Sequence, residues 1–217
     1  MKRTVVLGVT LAALAVTGTS VAMVAVAQDM PARGTMDVSK VSKGTYDADP
    51  GHTLVGWRVN HLGFNDYFGL FGDAQGTLTL DPANMDATSV DIRVPIAKVT
   101  VASEGLKDHL LRAGKDGAKT DFFGPEPGMA HFVSDKVTRF GSTRALISGT
   151  LEMNGQKHPV VLDTHFTGVG ASPMGGTETI GFEATTTIER SRWGIEYGIP
   201  LVSDAVELDI TAAFEKQ

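Results

Sequence analysis

Val206-Glu207-Leu208-Asp209-Ile210-Thr211-Ala212-Ala213-Phe214 alternates strictly. The even positions are Val, Leu, Ile, Ala and Phe, and all but one of the odd positions are polar. Successive side chains of a β-strand point to opposite faces, so this run has one apolar and one wet face. Val90-Asp91-Ile92-Arg93-Val94-Pro95-Ile96 repeats the pattern, and so do Thr53-Val55-Trp57-Val59, Val160-Leu162-Thr164-Phe166 and Ile180-Phe182-Ala184-Thr186-Ile188. Alternation of this kind is the mark of antiparallel sheet with one buried face. That face must be hidden by a second sheet or by closure into a barrel, and a barrel can also hold an apolar ligand.

Between these runs lie turn signals. Asp81-Pro82 ends the Gly- and aromatic-rich stretch Gly69–Leu80, and Asn154-Gly155 between two alternating runs is a strong short hairpin signal. Val90–Val101 reads as a strand pair or one bent strand, and 113–121 and Gly168–Gly176 as loops. A second short turn covers Ser191–Tyr197, before a last strand from Ser203 to Phe214. The one convincing helix is Ser103–Leu111, with Ser103 as cap and Leu106, Leu110 and Leu111 on one face. The count comes to about eight strands and one short helix, enough for a closed up-and-down barrel.

Met1-Lys2-Arg3 is followed by an uncharged apolar run to Ala27 that ends Ala25-Val26-Ala27. A basic start, an apolar middle and small residues at an A-x-A site read as a secretory signal over residues 1–27, in preference to an uncleaved anchor. Residues 28–44 show no periodicity and read as a linker. The folded domain is expected over 45–217. The full chain carries a net charge of −6, and loss of Lys2 and Arg3 with the leader makes it −8. An acidic surface argues against nucleic acid and against electrostatic docking on anionic lipid. The chain has no cysteine, so disulfides, thiolate metal sites and thiol catalysis are excluded, and the core alone must stabilise an exported domain.

Several short stretches, in order, carry a resemblance. They are Tyr46-Asp-Ala-Asp49-Pro-Gly-His52, Val59-Asn-His61-Leu62-Gly63, Phe68-Gly69-Leu-Phe71, Asp108-His109-Leu110, Asp121-Phe122-Phe123 and His131-Phe132. Gly149–Gly155, Gly181-Phe182-Glu183-Ala184, Ile188–Gly194 and Val202–Val206 follow them. Over about residues 45–217 the chain resembles the YceI-like family. The resemblance implies a lipocalin-like antiparallel β-barrel enclosing an apolar cavity. That cavity would take a polyisoprenoid chain, such as an isoprenoid quinone or a prenyl pyrophosphate. It implies a periplasmic carrier or store with no cofactor beyond the bound lipid, and not an enzyme. Three features depart from the family pattern: Asp108 and His109 are adjacent, the loop to Asp121 is long, and Arg192 stands where the Arg-Ser-Asp turn has its acid.

Tyr67, Phe68, Phe71, Phe122 and Phe123 are candidate walls of such a tunnel, with Trp57 beside them. His61 and His109, and with them His131, could donate to a quinone carbonyl or a pyrophosphate. Arg190 and Arg192 could pair with a phosphate. Each also has a structural reading: core packing for the aromatics, satisfied strand-end groups for the histidines, a barrel-closing salt bridge for the arginines. No H-x-H, H-E-x-x-H or H-x₃₋₅-H spacing points to a metal, and no G-x-S-x-G elbow points to a hydrolase. A small periplasmic hydrolase and a filled-core interaction domain stay open as alternatives. An exposed edge or apolar mouth could support a homodimer or transient membrane contact, and nothing in the residues demands either.

Overall fold

A computed structural model describes residues 33–217; the expected leader and the first part of the expected linker lie outside them. Among the described residues the strands are β1 (Gly44–Ala48), β2 (Leu54–His61), β3 (Asn65–Phe71), β4 (Gln75–Leu80) and β5 (Ser89–Pro95). They continue with β6 (Met129–Phe140), β7 (Arg144–Met153), β8 (Gln156–Ala171), β9 (Glu178–Glu189) and β10 (Ala205–Lys216). The helix α1 spans Glu104–Leu111, capped by Ser103 Oγ accepting from Leu106 N.

All pairings are antiparallel, and eight strands close on themselves in the order β1-β4-β5-β6-β7-β8-β9-β10, with β10 returning to β1 through Tyr46↔Lys216 and Ala48↔Phe214. Closure leaves no raw edge around this ring. β10 is long enough to hold two partners end to end. Its last residues pair with β1 and its first half, Glu207–Thr211, pairs with β2, which carries β3 on its far side. Thr53 fastens the break between β1 and β2, exchanging hydrogen bonds with Ala213 N and O at 3.2 Å.

The strands form where the alternation says they should, with three differences. Val90–Val101 is one strand only as far as Pro95. There the chain turns into a 3-10 segment, Ile96–Lys98, because Ile96 and Val99 are 2% and 1% exposed and must point into the barrel end. Gly168–Ala171, expected as loop, continues β8 past an irregularity between Phe166 and Gly168, since Val169 is buried and pairs with Ile180. Residues 33–44, expected as linker, are fastened down: Thr35 and Val169 exchange backbone hydrogen bonds at 2.9 Å, and Ser42 binds Glu178. The Asn154-Gly155 turn has both residues at positive φ, 50° and 72°, as its sequence demands.

One end of the barrel is plugged. Trp193, 1% exposed, packs with Ile96, Val160, Ile188, Ile195 and Val206, and its Nε1 donates to Leu151 O at 3.2 Å. α1 lies over this plug through Leu110, against Val99 and Val101. At the other end Tyr46, Phe166, Val169, Ile180 and Phe214 pack around the start of β1.

Candidate functional site

The interior is not filled. A cavity of about 440 Å³ runs inside the barrel, within the range of small-molecule sites. Its wall is the inward set of the alternating strands: Leu162 and Phe166 of β8, Phe182 and Ala184 of β9, Leu208 and Ile210 of β10, and their neighbours around the ring. Thr53, Thr88, Thr164 and Thr186 interrupt this apolar lining. The hydroxyl of Thr164, a residue only 6% exposed, has no hydrogen-bond partner among the described residues.

The lining reaches the surface at the turn between β6 and β7, where the exposed Arg139, Ser142 and Arg144 belong to it, and the half-buried Pro82 and Met85, from the connection between β4 and β5 that packs beside β6, line it too. Val38 and Val41 of the docked N-terminal segment complete this mouth. Among the described residues the only ionisable side chains in the lining are the two arginines. Arg144 is committed: its Nε donates to Asp163 Oδ1 at 2.9 Å and its Nη2 to Asp163 Oδ2, and these bonds hold the Asp163 carboxyl below the usual carboxylate range. Arg139 donates through Nε to Gly141 O at 2.8 Å, leaving its terminal nitrogens without a partner among the described residues.

None of the nine side chains expected to bind ligand lines this cavity. Trp57, Phe71, Phe122 and Phe123 belong to the plug, with the Phe71 and Phe123 rings edge to face at 6.0 Å. Trp57 is seated over Gly69, its partner across β2 and β3. A Cβ there would lie 2.6 Å from Trp57 Cζ2, so only glycine lets the ring down. Tyr67 packs beneath α1. Phe68 is 68% exposed on the outer face, bordering an open groove with Arg58 and Asp163. His61 is exposed at the end of β2.

His109 shares a 2.7 Å hydrogen bond with Asp121 and stacks edge-on against Phe122 and Tyr197, so it ties α1 to the following loop. Arg112 also donates to Asp121, and first this bond, then that of His109, holds the Asp121 carboxyl low. His131 pairs with Asp91 at 2.9 Å. Arg190, 5% exposed, donates to the carbonyls of Ser203, Val202 and Ile195 at 2.9–3.2 Å, and burial lowers its pKa. Arg190 therefore braces the plug from within. Trp57, Phe71, His109, Phe122, Phe123 and Arg190 hold one end of the barrel shut, and the cavity wall consists mostly of aliphatic residues and phenylalanines.

A closed antiparallel barrel with an apolar, mouthed interior defines a lipocalin-like architecture. Residues 46–214 match the YceI-like domain, and the chain belongs to the YceI-like family. A UPF0312 protein of Pseudomonas putida strain GB-1 is 34% identical over 175 residues, 79% of this chain and 85% of that one. The crystal structure of BcnA from Burkholderia cenocepacia superposes with a TM-score of 0.65 at 21% identity, covering 77% of this chain and 99% of BcnA. A polyisoprenoid binding domain from Saccharophagus degradans, implicated in plant cell wall breakdown, shares the fold with a TM-score of 0.56 at 11% identity, over 81% of this chain and all of that domain.

Proposed function

We propose that this protein binds a polyisoprenoid lipid inside its barrel and carries or stores it in the periplasm, without chemical turnover. The observation that supports this most is the cavity itself, about 440 Å³ walled almost wholly by aliphatic and aromatic side chains. Each CH₂ group moved from water into such a wall gains about 0.8 kcal/mol. A few isoprene units suffice for firm binding after the cost of association is met. The YceI-like family and the ligand named for the Saccharophagus degradans domain agree with this reading. A hydrolase would need a nucleophile and a base together. The histidine–carboxylate pair at His109 and Asp121 is engaged with Arg112 in the plug, and neither residue lines the cavity.

The deciding experiment is mass spectrometry of an organic extract of residues 28–217 purified from a bacterial periplasm. A stoichiometric isoprenoid is expected. Protein that is empty, and stays empty when offered quinones and prenyl phosphates, would overturn the proposal.

A further inference from the structure

Register explains how an arginine comes to stand in an apolar wall. On β6 the inward positions begin as Ala130 and Phe132, partnered by Leu151. An irregularity between Ser134 and Lys136 then adds one residue and reverses parity, as a β-bulge does. Beyond it the inward residues are Val137 and Arg139, both in the cavity lining.

Arg139 faces Ala145 across β6 and β7, Ala145 faces Thr164 across β7 and β8, and Thr164 faces Ala184 across β8 and β9. This row of the barrel thus reads Arg-Ala-Thr-Ala. The two alanines leave room beside the guanidinium and beside the Thr164 hydroxyl. The polar pair stands two strands apart, about 10 Å from Cα to Cα.

The two groups differ in what they lack: the buried Thr164 hydroxyl has no hydrogen-bond partner among the described residues, and the exposed Arg139 has no countercharge beside it there. Arg144, the other arginine of the mouth, is neutralised by Asp163; Arg139, which lines the opening, has no carboxylate partner among the described residues. Thr164 is 6% exposed with an unpaired hydroxyl, a state that costs stability unless something else bonds to it. A lipid with a neutral head would leave the guanidinium to water. An oxyanion satisfies it, and a guanidinium takes such groups through two parallel hydrogen bonds.

Resting on the binding function above, we infer that the ligand is a single-tailed amphiphile with an acidic head. The oxyanion, phosphate or carboxylate, is held at Arg139 in the mouth, and Thr164 lies on the inner side of the same polar row. The tail runs inward past Leu162, Phe182 and Ile210.

The test is displacement of a fluorescent lipid probe from the folded protein by tail-matched pairs: farnesyl phosphate against farnesol, and palmitate against hexadecanol. Binding to wild type should favour the acid of at least one pair by about tenfold, the worth of a charge-assisted hydrogen bond. In Arg139→Gln that preference should fall to within about twofold while the alcohol binds unchanged. Thr164→Val, which keeps the side chain's shape, should weaken the acid without unfolding the barrel. A preference in the phosphate pair identifies a phosphate head, and one in the palmitate pair a carboxylate. Equal binding of acid and alcohol in both pairs, or a preference that survives in Arg139→Gln, overturns the inference and leaves the lipid-binding proposal standing. If neither the acids nor the alcohols displace the probe, both fall together.

Discussion

The phenol of Tyr46 on β1 lies 2.7 Å from Glu178 Oε1 at the start of β9, across 132 residues of chain. The same hydroxyl is 2.6 Å from Ser42 O, so one proton is shared between two acceptors, while Ser42 donates to both oxygens of Glu178. Tyr46 is fully buried, and burial with the neighbouring carboxylate pushes its pKa well above the usual tyrosine range. The triad fastens the segment before β1 to β9, two strands away around the ring.

Tyr46→Phe keeps the ring and removes the shared proton. It should lower unfolding free energy by about 1–2 kcal/mol, the cost of one buried hydrogen bond lost with its acceptors left in place. Urea titration measures this, and a variant as stable as wild type would show the triad to be without weight.

Glu178 also predicts behaviour in acid. Burial raises its pKa, but the bonds from Ser42 and Tyr46 outweigh burial and hold the carboxyl below its ordinary value of 4.5. A carboxylate with a depressed folded pKa contributes stability that is complete above the ordinary value and disappears as pH falls through the folded one. Glu178→Gln should therefore be less stable than wild type at neutral pH, and the difference should shrink as pH drops below about 4.5. Thermal melts across that range decide it, and a pH-independent difference counts against the assignment.

Arg190 gives a sharper prediction, because its sequence context suggests a phosphate ligand and the structure makes it a brace. Arg190→Met leaves three carbonyls, one buried and two half-buried, without this donor and should cost about 2–3 kcal/mol. The readout is a large fall in Tm, with lipid affinity of the remaining folded fraction little changed. A stable variant that had lost binding would restore Arg190 to the ligand.

Ala184 faces the cavity from β9 and is 6% exposed. Ala184→Leu should fill part of the empty space without overpacking the core, holding or raising Tm while weakening lipid uptake. Tail length should show the same limit from the ligand's side. The cavity, about 440 Å³, is finite and closed at its plugged end. Affinity for prenyl alcohols should climb from geraniol to farnesol and then level off. A rise that continues unchanged through much longer tails would mean that the barrel dilates or that the tail finds another surface.

The wall of the cavity was legible in the chain. Val160-Leu162-Thr164-Phe166 and Leu208-Ile210-Ala212-Phe214 are the inward rows that period two picks out, and every one of these eight residues lines the space. The aromatics, histidines and Arg190 singled out as candidate ligands fall outside that wall, for reasons that are physical. Conspicuous side chains suit a plug, where Trp193 and Arg190 must satisfy polar atoms in a dry interior, as well as they suit a binding site. Parity already separated Phe68 from Phe71 on β3, since residues an odd number apart face opposite ways. Arg139 was hidden for a different reason. Its inward direction depends on the bulge near Asp135, and nothing in Ser134-Asp135-Lys136 announces one. The docking of residues 33–44 was likewise invisible, because a segment without periodicity can be held through a few specific bonds such as those of Thr35 and Ser42.

The return of β10 to β1 sets when this molecule can exist. Gln217 Nε2, just after β10, donates to Asp47 Oδ1 on β1 at 2.8 Å, across a sequence separation of 170. A ring sealed by β1 and β10 closes only when both are present. Until β10 arrives, β1 and β9 each present an unpaired edge, and the apolar wall faces water. Closure of the ring must wait for β10 and meet the entropy of a long loop in the same step. Trimming a few residues after Ala212 would then turn a vessel into an open, adhesive sheet.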